Sequence, residues 1–186
     1  MTADAQRALF PGGPETELPP PPPPPNVREA DVIAALKRRY GKISVNGDSR
    51  TLRFVGAPHV RLHPGAYGPG RVVDYLAVDT WRSSRYALHG HEVKVSRSDW
   101  LTELRDPDKA DAFRRYCRRW WLVVPDTSIV RDDLPDGWGL MVLGPRGGVR
   151  VAQPAPQLDP EPIPGHLLAS FARAIAGPPG RPPARM

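Results

Sequence analysis

The chain has 186 residues, a formal net charge of +6 and a single cysteine, Cys117. This length suits one ordinary domain with tails and is too short for two full domains. One cysteine excludes an internal disulfide framework, and no apolar run reaches the length of a membrane-spanning helix. The positive net charge favours an anionic partner, and nucleic acid is favoured over a membrane. The N-terminus lacks the pattern of a secretory signal. We therefore expect a cytoplasmic protein.

Both ends of the chain are rich in proline and differ from the middle. Residues 1–25 finish in a polyproline run at 19–25, which should be an extended spacer or a ligand for a proline-binding partner. Residues 155–186 are again rich in proline, and they should be disordered apart from a possible short amphipathic helix at 165–176. The folded domain is therefore expected over 26–154.

The first element of this domain is a predicted helix at 27–40. Asn26 is a plausible N-cap, and Gly41 is a plausible end. Glu29 follows Asn26 by three residues, as in a capping box, and it also lies on the apolar stripe of the helix. Two interpretations of Glu29 are open: it completes the capping box, or its carboxylate points from the helix start into a site beneath the sheet.

Two short strands should follow around the hairpin signal at 46–48. The next segment, 57–70, should be a loop that contains His59 and His63. A metal site at these histidines is disfavoured, because neighbouring prolines exclude the helix that their spacing needs and zinc usually takes more ligands. A loop that contacts phosphate is the favoured interpretation.

The next two segments contain the candidate catalytic residues. The apolar run at 71–78 predicts a central strand covered on both faces, with Asp74 in its middle. The run at 91–96 alternates, so that Glu92 and Lys94 share one face. Alone, this alternation is typical of an edge strand with a solvated face. A hairpin of the two strands in the right register would instead place Asp74 beside Glu92 and Lys94.

Two carboxylates and a lysine at one place have a specific chemistry. Asp74 and Glu92 could hold Mg²⁺ (or Mn²⁺) while the ion keeps several waters and a substrate phosphate oxygen. Lys94 could then orient the attacking water or stabilise the leaving oxygen. An acid, a loop and then acid-x-lysine therefore indicate phosphodiester hydrolysis.

A resemblance to the PD-(D/E)XK nuclease superfamily rests on Asp74 and the segment EVKVSRSDW. A narrower resemblance, to the MmcB-like family of bacterial DNA repair proteins, rests on HEVKVSRSDW, RRYCRRWWLVVP, LPDGWGLMVL and VRVAQP. The resemblance implies an α/β fold with a restriction-endonuclease-like core, in which elements in the order αβββαβ form a mixed sheet flanked by helices. It also implies that Asp74 and Glu92 are catalytic metal ligands, that Lys94 is catalytic and that Glu29 is an auxiliary catalytic acid.

The segment after this motif predicts a helix that Asp106 and Pro107 split or offset. Guanidinium groups bind phosphates bidentately, so arginines past this break are a candidate clamp for the DNA backbone near the catalytic residues. An ordinary solvated cationic face is the alternative for any one of them. The candidate DNA-binding residues are Arg114, Arg115, Arg118, Arg119 and, more weakly, Lys109.

The end of the domain offers packing residues rather than candidate catalytic residues. Trp120 and Trp121 begin a predicted strand, where core packing is favoured over base stacking. Cys117 should be packed rather than reactive. A final hairpin is expected around the sequence GPRGG.

Two functions of different classes remain open. The first is a metal-dependent DNA nuclease that works in repair or recombination. The second is a non-catalytic DNA-binding or scaffolding module on the same fold, because a fold does not fix a function. A proline-rich adaptor that acts through residues 19–25 is a third. The sequence leaves open the DNA structure that is cleaved and the oligomeric state.

Overall fold

The structure is a computed structural model that describes residues 26–46, 49–64 and 70–177. The polyproline run at 19–25 and the turn residues 47 and 48 lie outside the described residues. The helices are α1 (Glu29–Tyr40), α2 (Arg97–Leu104), α3 (Pro107–Arg114) and α4 (Gly165–Ala176). The strands are β1 (Ile43–Asn46), β2 (Ser49–Leu52), β3 (Phe54–Arg61), β4 (Val72–Asp79), β5 (Leu88–Val93), β6 (Arg119–Val124), β7 (Trp138–Leu143) and β8 (Val149–Gln153).

Six strands form one mixed sheet in the order β3-β4-β5-β6-β7-β8, and β1 and β2 pair separately as an antiparallel hairpin. The neighbouring pairs β3–β4 and β4–β5 are antiparallel, and the pairs β5–β6 and β6–β7 are parallel. The last pair, β7–β8, is again antiparallel. The predicted mixed α/β sheet flanked by helices is confirmed. In chain order, the elements from α1 to β6 are one helix, the inserted hairpin, three strands, two short helices and a strand.

Each face of the sheet has its own apolar core. One core joins Trp100 of α2, Phe113 of α3 and Leu167 of α4 to the sheet. The other packs Val32 and Leu36 of α1 against the opposite face. Strands between two helical layers are shielded from solvent on both faces, and their sequences are therefore almost continuously apolar.

Strand β5 lies between β4 and β6, so the interpretation of residues 91–96 as an edge strand with a solvated face is wrong. Glu92 on this strand is only 3% exposed. A β-carbon at Gly90 would come within 2.2 Å of the Trp120 ring, which is why a glycine stands there. Trp120, Trp121 and Cys117 are buried, as core packing predicts, and burial raises the pKa of the Cys117 thiol.

Two predicted boundaries are wrong. Strand β3 extends to Arg61, so His59 lies within a strand and not in the expected loop. Helix α3 ends at Arg114, so Arg118 and Arg119 belong to the approach and start of β6 and do not share a helix face with Arg114. The arginine-rich run therefore turns the chain from a helix into the sheet.

Helix α4 spans the residues of the predicted short C-terminal helix and packs into the domain. Leu167 and Phe171 are buried in the same core as the strands. The segment that leads to α4 is also bound to the domain, because the Leu158 N–H donates to the Arg118 carbonyl and the Glu161 N–H donates to the Arg115 carbonyl. The packed unit thus continues past residue 154.

Within the described ranges, no helix combines the length and the apolar character that crossing a bilayer requires.

Candidate carboxylate and lysine site

Asp74 and Glu92 meet across β4 and β5. Tyr75 pairs with His91 in the antiparallel ladder, so the next step of the same register places Asp74 opposite Glu92. The Asp74 Oδ2 atom also accepts a 2.7 Å hydrogen bond from the Val93 N–H. This is the register that brings the two carboxylates to one face, and the sequence alone did not fix it.

The two carboxyl groups have raised pKa values. Burial raises the pKa of Asp74. Burial and then the charge of Asp74 raise the pKa of Glu92 to about 7. Two desolvated carboxylates side by side favour either a shared proton or a bound cation.

Lys94 lies just after β5 and contacts two carboxylates. Its Nζ atom is 2.6 Å from Glu92 Oε1 and 2.8 Å from Glu103 Oε2. Lys109 Nζ approaches the same two atoms, at 3.4 Å and 2.7 Å. Burial opposes the charge on Lys94, but Glu92 and Glu103 more than offset this and raise the pKa of Lys94. We call Glu92, Lys94, Glu103 and Lys109 the charge quartet.

Glu103 is a site residue that the sequence reasoning missed. It lies on α2 and is 6% exposed, and its Oε1 atom is buried without a hydrogen-bond partner among the described residues. Burial opposes ionisation of Glu103, but hydrogen bonds from Lys109 and Lys94 lower its pKa. The available signal was its position three residues after Trp100, on the buried side of a short helix.

Glu29 does not complete the capping box, so that interpretation is wrong. The helix begins at Glu29, and Asp31 closes the cap by accepting a 2.9 Å hydrogen bond from the Arg28 N–H. The Glu29 carboxylate instead lies 3.7 Å from His59 Nδ1. Both side chains are about half exposed, at 49% and 57%.

His59 is the second residue that the sequence reasoning did not place in the site. It lies between the paired positions Pro58–Tyr75 and Val60–Val73, and therefore next to Asp74 on the neighbouring strand. Its φ of 50° is left-handed, which is uncommon for a residue with a β-carbon inside a strand. The prolines that argued against a helix here are compatible with an edge strand, which was the missed signal.

Three side chains around Asp74 have the geometry of a candidate metal site. Glu29, His59 and Asp74 each offer one ligand atom, and these atoms lie within 4.8 Å of one another. Carboxylate oxygens suit Mg²⁺ and Mn²⁺, and an imidazole nitrogen is more compatible with Mn²⁺ than with Mg²⁺. Asp74 belongs to this set and also lies opposite Glu92, and the residues fit the group that the family resemblance implies.

The candidate arginines do not join these residues. Arg119 pairs with His89 in the β5–β6 ladder, about 10 Å along the strand from Glu92. Arg119 donates to the Ala155 carbonyl, and Arg118 donates to Gln157 Oε1 at 2.7 Å. Arg114 binds Asp111 at 3.0 Å. Arg115 is exposed beyond the end of α3. Of the predicted DNA-binding residues, the structure brings Lys109 to the carboxylates.

Comparison with known proteins gives a fold and no function. No family model matches the chain. No curated protein matches it either. A solved structure from Silicibacter pomeroyi, the SPO1766 protein of unknown function, is similar with a TM-score of 0.52 and 18% sequence identity. The match covers 82% of this chain and 84% of that one. At this identity the likeness concerns the fold alone.

Proposed function

We propose that this protein is a metal-dependent DNA nuclease with a PD-(D/E)XK core, similar to MmcB-like proteins, that works in DNA repair or recombination. The observation that carries the proposal is the convergence of Asp74, Glu92 and Lys94 at one end of two central strands. Their pKa shifts supply a second argument, because perturbed carboxyl groups next to a lysine are typical of sites that do acid–base or metal chemistry.

The order of elements supports a restriction-endonuclease-like core. Helix α1, strands β3, β4 and β5, helices α2 and α3, and strand β6 follow one another as αβββαβ requires, with the β1–β2 hairpin as an insertion. Asp74 lies on the second of the three strands, and Glu92 and Lys94 lie on and just after the third. The superfamily motif has the same distribution.

Under this proposal, metal binding and stabilisation of negative charge are performed by different residues. Asp74, with Glu92 on one side and Glu29 and His59 on the other, would hold Mg²⁺ or Mn²⁺, which supplies charge neutralisation at the phosphate and a more acidic water. Lys94 is kept protonated by Glu92 and Glu103, so its ammonium can stabilise negative charge near the scissile bond. Lys109 adds a second ammonium at 37% exposure, where it can meet a DNA phosphate.

The test is cleavage of circular single-stranded, circular duplex, flapped and junction DNA with Mg²⁺, Mn²⁺ or EDTA. We expect cutting that depends on the metal, and Lys94→Ala should lower its rate about a hundredfold or more. DNA affinity should stay nearly unchanged, because the lysine acts on the transition state more than on bound DNA. Lys37→Ala on the exposed surface of α1 is the matched control and should cut normally. Normal cutting by Lys94→Ala would contradict the site assignment.

One observation favours the second candidate, a non-catalytic DNA-binding or scaffolding module. The charge quartet alternates two carboxylates with two ammonium groups, so these charges stabilise one another without a metal. Such a network would persist in a protein that had lost cleavage. Binding to DNA in EDTA, with no cutting of any substrate in either metal, would select this function over the nuclease.

A further inference from the structure

A second polar site lies at the other end of the same strands. It is a cavity of about 520 Å³ between the start of β3, the β4–β5 loop and the start of β6. We call it the basic cavity. Its lining residues are Arg53, Phe54, Asp79, Ser83, Ser84, Arg85, Ala87, His89, Arg118, Arg119 and Gln157. It lies at the opposite end of β5 from Glu92, because His89 is the second residue of that strand and Glu92 is the last but one.

The charge of the basic cavity is strongly positive. Its lining has four arginines against one carboxylate, Asp79, and Arg53 already neutralises that carboxylate at 2.9 Å. His89 adds no charge near neutral pH, because burial and then the charge of Arg119 lower its pKa to about 4. The cavity therefore offers guanidinium groups and serine hydroxyls to an anion.

Arg85 is the cation best placed for a ligand. It is exposed, and no hydrogen bond or ion pair engages its side chain among the residues that the structure covers. Arg85 and Tyr86 have φ values of 55° and 56°, so two successive residues of the β4–β5 loop are left-handed. Both side chains are exposed, and Tyr86 lies in the chain between Arg85 and Ala87, which line the cavity.

Exposed aromatic rings accompany these arginines. Trp81 and Tyr86 of the same loop are 44% and 57% exposed, unlike the buried Trp120 and Trp121. The Arg53 guanidinium lies 4.8 Å from the centroid of the Trp81 ring. Large aromatic surfaces left in water beside cations are the combination that stacks unpaired bases while guanidinium groups bind the phosphates between them.

We propose that the basic cavity and its aromatic rim, Trp81 and Tyr86, bind single-stranded nucleic acid at the sheet end opposite the carboxylates. The aromatic rim favours a single strand, because in a duplex the faces of the bases are stacked inside and cannot reach Trp81 or Tyr86. The cavity favours a polyanion, because its cations meet no second carboxylate among the lining residues.

This proposal does not depend on the proposed nuclease activity. The basic cavity contains none of Asp74, Glu92 and Lys94, so nucleic acid should bind there without a metal and without cleavage. The experiment is therefore done in EDTA, where loss of binding and loss of cutting are separate results.

The test is fluorescence anisotropy of the full chain with a labelled oligothymidylate of about twelve nucleotides. Trp81→Ala and Tyr86→Ala should each weaken binding about tenfold, by removing a stacking surface. Arg85→Asn, which keeps a residue that tolerates left-handed φ, should weaken binding and lower the slope of log affinity against log salt by about 0.7. An oligouridylate of the same length reports whether the sugar matters, and tight binding of either strand supports the site.

Arg146→Asn is the charge-matched control, because Arg146 is exposed in the β7–β8 turn away from the cavity. It should leave the affinity unchanged. Absence of binding in EDTA would overturn the proposal. So would equal binding by wild type and the loop variants. Duplex binding as tight as single-strand binding, unaffected by Trp81→Ala and Tyr86→Ala, would overturn it as well, because the rim would then have no role.

Discussion

The two ends of strand β5 carry opposite kinds of electrostatic site. At the end with Glu92, the charges are buried and paired with one another, and their pKa values are displaced. At the end with His89, arginines line an open cavity, and the Arg85 side chain is exposed to solvent. Buried, mutually paired charges are costly and specific, so they suit chemistry on a positioned group. Exposed guanidinium groups beside aromatic rings suit binding of a flexible anion.

The largest effect is expected from a substitution in β5, because this strand carries residues of both sites. Gly90→Ala would place a β-carbon 2.2 Å from the Trp120 ring and should destabilise the fold by roughly 3 kcal/mol, with weaker function at both ends. Chemical denaturation measures the change. Gly148→Ala is the control, because a β-carbon there meets nothing within 4 Å. Equal stability of the two variants would show that the Trp120 ring moves aside easily.

A smaller effect, on cleavage alone, is expected from a substitution at the carboxylate end. Glu103→Gln removes the second anionic partner of Lys94 and should slow metal-dependent cleavage about tenfold, as loss of an orienting partner commonly does. The pKa of Lys94 should fall as well, so the alkaline limb of the cleavage profile should move to lower pH. Asp108→Asn on the exposed start of α3 is the control. An unshifted profile would mean that Glu103 only packs, and oligothymidylate binding should not change in either case.

A pH-dependent effect is expected on the stability of the metal-free protein. The pKa of Glu92 is about 7 in the fold against an ordinary value of 4.5. Between these values the folded protein keeps a proton that the unfolded chain has lost, so this group stabilises the fold at acid pH. Its contribution falls by about 1.4 kcal/mol per pH unit between these two pKa values and levels off above about pH 7.

The measurement is the difference in unfolding free energy between wild type and Glu92→Gln, followed in EDTA from about pH 5 to about pH 7. The difference is needed because the lowered pKa values of His89 and His91 act in the opposite direction over part of this range. Parallel curves for the two proteins would contradict the raised pKa of Glu92.

The sequence predicted the elements better than their contacts. Apolar runs identified β4 and β6, and the break at Pro107 separated α2 from α3, because these signals are local. The register that joins Asp74 to Glu92 depends on long-range pairing, so it stayed conditional. Glu103 was missed because its role appears only when α2 folds over the end of β5.

Two further errors have physical causes. Pro58 lies in the segment predicted as a loop, 57–70, yet an edge strand tolerates proline, so the prediction missed His59 as a site residue. The arginine-rich run from Arg114 to Arg119 follows helical spacing, but the chain bends after Arg114 and enters β6. The basic cavity went unnoticed because its residues come from four separate segments.

The chain after β8 contacts both ends of the sheet. Ala155 accepts the hydrogen bond from Arg119 at the basic cavity, and His166, in the first turn of α4, stacks on His63 with ring centroids 4.1 Å apart. His63 follows the end of β3 that carries His59. A cut between Pro156 and Pro164 would therefore break the covalent link between these two contacts.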